Sequence, residues 1–238
     1  MSLRINKVVR RIPQIILILI GLFLVGCIIR VAIWEYSYYA EMEGSKRSPI
    51  VEVGVTAPDQ DEVDETPVTD YDIQNHTVAP DEPRYLMAAF LGAGTKARIR
   101  SVGLTRDNAM DTLASIFDAA WYRNSGKPGS GGTILINGHN GGPTKIGIFK
   151  YLNLVKPGEI ITVERGDGAI FQYEVYESKI LLLPDANAHM SAMMHSPVPG
   201  KESLSLISCT GEWSQQRRTY LSRAMVRAVL IEDGKEDA

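Results

Sequence analysis

Two reactive side chains in this sequence each stand at the end of an apolar, strand-like run. Cys209 ends the run Leu204–Cys209 and is followed directly by a threonine and a glycine. His139 follows the run Thr133–Asn137 and one glycine, and two further glycines come shortly after it. A thiolate can attack a carbonyl carbon while an imidazole carries the proton, so this pair suits cysteine-based acyl transfer. Strand-to-loop junctions are also where a rigid sheet presents functional groups.

A cation beside the reacting carbonyl would complete such a site, because acyl transfer builds negative charge on the carbonyl oxygen. Arg223 opens the last apolar run, 14 residues after Cys209, and this gap allows a loop and a returning strand. Arg217 and Arg218 lie nearer but fall in a polar loop, where solvated charge is the ordinary role. Each residue alone also has a structural interpretation: Cys209 as a buried, inert thiol and His139 as a structural histidine.

Alternating apolar runs between residues 84 and 231 predict the elements that position these side chains. Seven runs read as strands: Tyr85–Leu91, Ala97–Leu104, Thr133–Asn137, Glu159–Glu164, Ile170–Leu182, Leu204–Cys209 and Ala224–Ile231. One short helix is predicted over Asp111–Trp121, because its apolar residues share a helical face. Seven or eight short strands with few helices indicate a mainly β domain whose sheet is closed or sandwiched.

Composition excludes several classes of protein. The chain has 238 residues, 45% of them hydrophobic, which is typical of a globular domain and not of a disordered or polytopic membrane protein. A net charge of −3 gives no electrostatic basis for binding nucleic acid. Only two cysteines are present, which excludes a disulfide-stapled small domain and a four-cysteine zinc site. The sequence therefore predicts no metal and no cofactor.

The N-terminal residues predict a membrane anchor. Ile15–Ile29 is a run of 15 residues without charge, and residues 13–34 are long enough to form a transmembrane helix. Four basic residues precede it, so residues 1–12 are expected in the cytoplasm and the remainder outside, as in a single-pass cell-membrane protein. A cleaved signal peptide, with a weak cleavage-like site near residues 38–40, is the alternative.

An acidic, proline-containing linker is predicted over residues 35–83. Between Ile50 and Pro83 there are ten acidic residues and no lysine or arginine. Such a segment cannot bury enough apolar surface to offset the entropy of ordering, so we expect an extended extracytoplasmic tether. His76 within it is expected to be solvated. The catalytic domain is then expected over residues 84–238.

The sequence Ser-Leu-Ile-Ser-Cys over Ser205–Cys209 resembles the Thr-Leu-x-Thr-Cys signature of sortases, the cysteine transpeptidases of bacterial cell surfaces. Serines replace both threonines and keep the hydroxyl groups. Gly138–His139 resembles the histidine of that family at the end of a strand, and Arg223 resembles the arginine of its last strand. The resemblance covers roughly residues 84–231.

The resemblance implies a closed eight-stranded β-barrel with one or two short helices. It implies catalytic roles for His139, Cys209 and Arg223, and a weaker substrate-binding role for Ser208. The connection Leu183–Ser203 would line a groove for the substrate. Its three methionines either contact an apolar part of the substrate or only pack against the barrel: Met190, Met193 and Met194.

The implied reaction joins a surface protein to an amine. Cys209 would cleave a C-terminal sorting signal of the Leu-Pro-x-Thr-Gly (LPxTG) type and hold the acyl group as a thioester. An amine on a cell-wall precursor or a pilin lysine would then accept it. Two alternatives stay open, a membrane-anchored barrel that binds peptides without catalysis and another exported cysteine peptidase. Papain-like hydrolases have the cysteine before the histidine, unlike this chain, and L,D-transpeptidases have a histidine and glycine directly before the cysteine.

Substitution of the arginines tests the predicted position of the last strand. We expect Arg223→Ala to lower kcat/KM for a sorting-signal peptide by about 100-fold, since a donor to the oxyanion is lost. Arg218→Ala should change it by less than about threefold, as is usual for a surface charge. The measurement is peptide cleavage by the two full-length variants. A larger loss with Arg218→Ala would show that the last strand is wrongly placed.

Overall fold

The structure is a computed structural model that describes residues 21, 23, 25–30, 63–106 and 108–233. The chain divides into two compact units, Met1–Ser48 and Pro49–Ala238. In the first unit the described residues are helical. Within the described ranges, no helix has the length and apolar character needed to cross a membrane. The predicted transmembrane helix over residues 13–34 lies for its larger part outside these ranges.

Eight strands of the second unit close into one barrel. In chain order they are β1 Pro83–Ala88, β2 Ala97–Val102, β3 Ala119–Tyr122, β4 Thr133–Gly138, β5 Ile160–Arg165, β6 Ile170–Leu182, β7 Ser203–Ser214 and β8 Thr219–Asp233. Around the barrel the order is β1-β2-β3-β4-β7-β8-β6-β5, and β5 pairs with β1. The β2–β3 and β4–β7 pairs are parallel, and the other pairs are antiparallel. The predicted mainly β, closed eight-stranded barrel is confirmed.

Among the described residues of this unit, helical structure consists of short pieces. The α-helices are α1 Asp70–Gln74 and α2 Leu183–Met193, and two 3₁₀ turns cover Ala89–Leu91 and Leu152–Leu154. Helix α1 begins with a capping box, in which Thr69 and Asp72 each accept from the backbone N–H of the other. Few and short helices agree with the prediction for the fold.

Alternation along the strands sorts apolar side chains onto the two faces of the barrel wall. On β7, Leu204 and Leu206 belong to the cluster that fills the barrel. Ile207, on the opposite face, belongs to a second cluster together with Met225 of β8. Residues of α2 complete this second cluster, so the helix covers part of the outer face of the wall.

The helix predicted over Asp111–Trp121 is wrong. Residues 111–118 are irregular, and Ala119–Tyr122 form β3, which pairs with β2 on one side and β4 on the other. All four residues of β3 are buried, so its sequence has no period-two pattern to distinguish it from a helix. Pairing with two neighbouring strands outweighs the local helical pattern here.

The predicted linker also differs from the structure in its second half. Residues 63–82 lie on the surface of the barrel domain and contact it at several points. His76 is half-buried, and its Nε2 lies 2.9 Å from the carbonyl oxygen of Ile99. The hydroxyl of Tyr85 donates to the carbonyl of Ile73. These residues are ordered because their polar groups find partners on the domain, which a count of charges along the sequence cannot reveal.

The connection from β6 to β7 is helical over α2, where a proline in the first turn favours helix initiation. Met190 is 5% exposed and Met193 is fully buried in the second apolar cluster. Of the two roles open for the methionines, packing against the barrel is the one that these two have. Met194 is partly buried at the edge of the same cluster.

A buried carboxylate holds the glycine-rich loop between β3 and β4. Glu202 is 5% exposed. Its Oε1 accepts from the backbone N–H of Gly129 at 3.0 Å and from the Tyr173 hydroxyl at 2.7 Å. Its Oε2 accepts from the backbone N–H of Gly131 at 2.7 Å. Burial, reinforced by this carboxylate, raises the pKa of Tyr173, so its hydroxyl keeps the proton that it donates.

Removal of this carboxylate should destabilise the domain without touching the predicted catalytic residues. We expect Glu202→Ala to lower the free energy of unfolding by about 2 kcal/mol, because the buried hydroxyl of Tyr173 loses its acceptor and the loop loses two hydrogen bonds. Urea unfolding followed by tryptophan fluorescence measures the change. Glu174→Ala, at an exposed position on β6, is the control and should stay within about 0.5 kcal/mol. Equal stability of the two variants would contradict this account of Glu202.

Candidate active site

Three adjacent strands bring Cys209, His139 and Arg223 to one level of the barrel wall. In the parallel β4–β7 pair Gly138 lies opposite Ser208, so His139 comes next to Cys209 as both chains continue. In the antiparallel β7–β8 pair Cys209 lies directly opposite Arg223. Side chains that face each other on neighbouring strands are about 5 Å apart at Cβ and project from the same face of the sheet.

The row projects from the outer face of the wall. A Cβ on Gly138 would lie 2.6 Å from the ring of Phe149, which belongs to the cluster that fills the barrel. Gly138 therefore faces inward, and the next residue, His139, faces outward. Cys209 alternates in the same way with the buried Ser208. Only glycine fits at position 138, because any side chain there would collide with Phe149.

The imidazole of His139 is held by a backbone carbonyl. Its Nε2 lies 2.7 Å from the carbonyl oxygen of Leu113, in the irregular segment before β3. A carbonyl can only accept, so Nε2 carries the proton and Nδ1 is the nitrogen that can gain or lose one. Burial lowers the pKa of His139, and the hydrogen bond to Leu113 opposes this shift. The resting imidazole is therefore neutral at neutral pH.

The thiol of Cys209 is also neutral at rest. The residue is half-buried, and burial of the sulfur raises the pKa of its thiol. The positive charge of Arg223 acts in the opposite direction, because it stabilises a thiolate. A nucleophile in this environment needs a proton acceptor and a nearby cation, and the row supplies both.

Arg223 is fixed by oxygen atoms of its own strand. Only 3% of the residue is exposed. Nη1 donates to the carbonyls of Tyr220 at 2.9 Å and Ser222 at 3.1 Å, and Nη2 donates to the Thr219 hydroxyl at 3.3 Å. These acceptors carry no net charge, so they orient the guanidinium without neutralising it.

The other residues singled out from the sequence lie away from this row. Ser208 is 2% exposed, and its hydroxyl donates to the carbonyl of Gly138 at 2.9 Å. This hydrogen bond joins β7 to β4, and the predicted contact of Ser208 with substrate stays a prediction. Arg217 and Arg218 lie in the turn between β7 and β8, so Arg223 alone of the three is opposite Cys209.

Two features of the site were missed by the sequence analysis. The carbonyl of Leu113 has no sequence signal, because every residue carries one. Asn137 is 3% exposed and its Nδ2 donates to the carbonyl of Asp111 at 3.1 Å, which fixes the segment before Leu113. An asparagine inside the apolar run of β4 was the available signal, since buried polar side chains usually have a specific partner.

Over the described residues, no three or more histidine, cysteine, aspartate or glutamate side chains gather in a way that could hold a metal ion. The site as it stands offers a thiol, an imidazole and a guanidinium. Together these can carry out nucleophilic acyl transfer, with proton transfer by the imidazole and stabilisation of the oxyanion by the guanidinium.

Several solved structures that are similar to this chain are described as sortases. Sortase C of Streptococcus pneumoniae has 17% sequence identity and a TM-score of 0.48, covering 81% of this chain and 89% of that chain. Sortase A of Listeria monocytogenes has 14% sequence identity and a TM-score of 0.47, covering 65% of this chain and 90% of that chain. A sortase of Actinomyces oris has 20% sequence identity and a TM-score of 0.47, covering 74% of this chain and 92% of that chain.

Comparison with curated proteins gives no match. Comparison with protein families, in contrast, identifies the domain: the model of the sortase domain matches residues 93–231, which is more than half of the chain. That range contains the outward row of Cys209, His139 and Arg223. The chain therefore belongs to the sortase family, whose members are cysteine transpeptidases.

Proposed function

We propose that this protein is a membrane-anchored transpeptidase that cleaves an LPxTG-like sorting signal and transfers the acyl group to an amine. The observation that carries the proposal is the alignment of Cys209 with Arg223 across β7–β8 and with His139 beside the β4–β7 pair. This alignment supports a mechanism in which a nucleophile, a proton carrier and an oxyanion donor act on one peptide bond.

The first half-reaction breaks the peptide bond between threonine and glycine. Nδ1 of His139 takes the proton of the Cys209 thiol, and Sγ attacks the threonine carbonyl carbon to form a tetrahedral intermediate. As the carbon–nitrogen bond breaks, Nδ1 of His139 gives a proton to the departing glycine amine. The threonine carbonyl stays on Cys209 as a thioester. In the second half-reaction an amine attacks this thioester, its proton passes to Nδ1, and the thiolate of Cys209 leaves.

Arg223 is proposed to stabilise the tetrahedral oxyanion. Thr219 takes one of the two hydrogens of Nη2, and the other can donate to the negatively charged oxygen. Because the guanidinium is already fixed by Tyr220 and Ser222, it loses little conformational freedom when the oxyanion forms. A preorganised donor of this kind stabilises the transition state more than the bound substrate.

The proposed substrates are surface proteins that carry C-terminal sorting signals, and the proposed acceptor is the amine of a cell-wall precursor or a pilin lysine. We further propose that residues 13–34 anchor the chain in the cell membrane, with residues 1–12 in the cytoplasm and the barrel domain outside. The uncharged run Ile15–Ile29, with basic residues before it, supports this orientation.

Trapping of the acyl-enzyme tests the proposed reaction. Full-length protein incubated with an LPxTG-like peptide should gain the mass of the peptide up to threonine, on the tryptic fragment that contains Cys209. Cys209→Ala should lose this adduct and reduce product formation by more than about 1000-fold, because no thioester can form. Cys27→Ala, which removes the other thiol, is the control and should retain activity. A barrel that only binds peptide would hold it in both variants and form neither adduct nor product.

Both pKa shifts predict a broad plateau in the dependence of kcat/KM on pH. The thiol–imidazole pair and the thiolate–imidazolium pair have the same net charge, so their ratio does not change between the two pKa values. Activity should fall below the lowered pKa of His139 and above the raised pKa of Cys209.

Arg223→Gln should move the midpoint of Cys209 alkylation by iodoacetamide to higher pH, because the positive charge that opposes the effect of burial on the pKa of the thiol is lost. Arg218→Gln should leave the midpoint in place, and an unchanged midpoint in Arg223→Gln would exclude the electrostatic role.

A further inference from the structure

A short segment upstream of the barrel contacts two parts of the chain near His139, one before it in sequence and one after it. It consists of Asp64 and Glu65, which lie within the acidic stretch expected to be a free tether. One of its contacts is with the segment that supplies the carbonyl of Leu113, and the other is with the loop that follows His139. We call Asp64–Glu65 the upstream clamp.

The backbone of Asp64 holds the segment next to Leu113. Its N–H donates to the carbonyl of Ala114 at 2.8 Å, and its carbonyl accepts from the N–H of Ile116 at 3.1 Å. This is a parallel bridge between Asp64 and Ser115. Leu113 immediately precedes the bridged residues, so the bridge limits where its carbonyl can lie. That carbonyl is the group that accepts from Nε2 of His139.

The carboxylate of Glu65 holds the loop that follows His139. Oε1 accepts from the backbone N–H groups of Thr144 and Lys145, each at 2.8 Å, and Oε2 accepts from the Thr144 hydroxyl. The ammonium of Lys145 donates in return to the carbonyl of Glu65 at 3.0 Å. These hydrogen bonds, that of the Thr144 hydroxyl above all, lower the pKa of Glu65, so the carboxylate is ionised at neutral pH.

The loop itself is connected to His139 through the backbone. Gly142 N–H donates to the carbonyl of Lys145 at 2.9 Å, and Phe149 N–H donates to the carbonyl of His139 at 2.9 Å. The clamp therefore ties together the acceptor of the imidazole and the loop that begins at His139. Farther along, Ile148 N–H donates to the carbonyl of Ile116 at 2.8 Å, which also joins the two segments. The clamp adds a connection nearer to Leu113 and to the turn at residues 142–145.

We propose that Asp64 and Glu65 are positioning residues, which keep His139 in the orientation and tautomer needed for proton transfer. This inference rests on the proposed role of His139 in the transpeptidase reaction. It gives part of the acidic stretch, which was expected to be an extended tether, a role at the site. The hydrogen bonds of the clamp go to Ala114, Ile116, Thr144 and Lys145, so it acts through the segment of Leu113 and the loop after His139.

Loss of the clamp should weaken the site and spare the fold. Met110 and Ile116 are fully buried on either side of Leu113, and these apolar contacts persist without Glu65. The carbonyl of Leu113 would gain freedom to move, and His139 would then sample both tautomers and more than one ring position. Small displacements of a catalytic group lower the rate of the chemical step more than they weaken substrate binding. We therefore expect kcat to fall and KM to change little.

The test uses four full-length proteins: wild type, Glu65→Ala, Glu65→Gln and the control Asp70→Asn. We expect Glu65→Ala to lower kcat for peptide cleavage by about tenfold with KM within about twofold. Glutamine keeps an acceptor oxygen for the backbone N–H groups of the loop, so Glu65→Gln should recover most of the activity. Asp70 is an exposed acidic residue of the same stretch and Asp70→Asn should match wild type.

A second measurement does not depend on turnover. Nitrogen-15 NMR of the histidine-labelled full chain in detergent micelles distinguishes the two tautomers, and His139→Gln assigns the signal among the four histidines. Wild type should show His139 protonated at Nε2 alone, and Glu65→Ala should show a mixture of tautomers. A pure Nε2–H form in Glu65→Ala overturns the proposal, as does wild-type kcat in that variant. If wild type is inactive but shows a single tautomer, and Glu65→Ala shows a mixture, the transpeptidase assignment is refuted and the role of the clamp is supported.

Discussion

The pairing of β7 with β4 on one side and β8 on the other is the constraint on which the site depends. Both pairs place their reactive residues at one level, and alternation then projects all three from the same face. A shift of either pair by one residue would turn a side chain of the row into the barrel interior. Gly138 helps to fix this register, because the ring of Phe149 occupies the space beside its α-carbon and leaves no room for a side chain there. Interior packing thus determines a geometry that serves the outer surface.

Electrostatics at the row follow from how deeply each group is buried. Burial favours the neutral thiol of Cys209 and the neutral imidazole of His139, while Arg223 is the group that keeps its charge. The reactive ion pair is therefore a minor form that arises by proton transfer within the site. In the proposed reaction, a guanidinium held by uncharged oxygens favours negative charge on the thiolate first and on the oxyanion afterwards. One cation thus acts at two successive positions of the negative charge.

The elements that could be predicted from sequence are those whose burial pattern is simple. The strand prediction Ile170–Leu182 coincides with β6, since Phe171, Tyr173 and Val175 alternate with polar residues. Strand β3 was missed because both of its faces are buried, and this makes four apolar residues indistinguishable from a helical turn. Helix α2 was expected as a loop, because its packing on the outer wall depends on residues far away in sequence.

The same distinction applies to the site. Cys209, His139 and Arg223 could be proposed because their chemistry is rare and their positions follow apolar runs. The carbonyl of Leu113 could not, since a backbone acceptor leaves no trace in the sequence. Glu65 was concealed by its surroundings: among ten acidic residues from Ile50 to Pro83, nothing marks the one whose carboxylate is bound by a loop some 80 positions later.

The position of β8 in the barrel bears on how the protein matures. This strand is the last of the eight along the chain, yet it is inserted between β7 and β6 and is not at an edge. The barrel stays open, and the thiol lacks its neighbouring cation, until the final strand has been synthesised and has paired. Domains generally fold as units, so in a nascent chain halted before residue 219 the proposed nucleophile would lack its cation. Reactivity is in this way withheld from incomplete chains by topology alone.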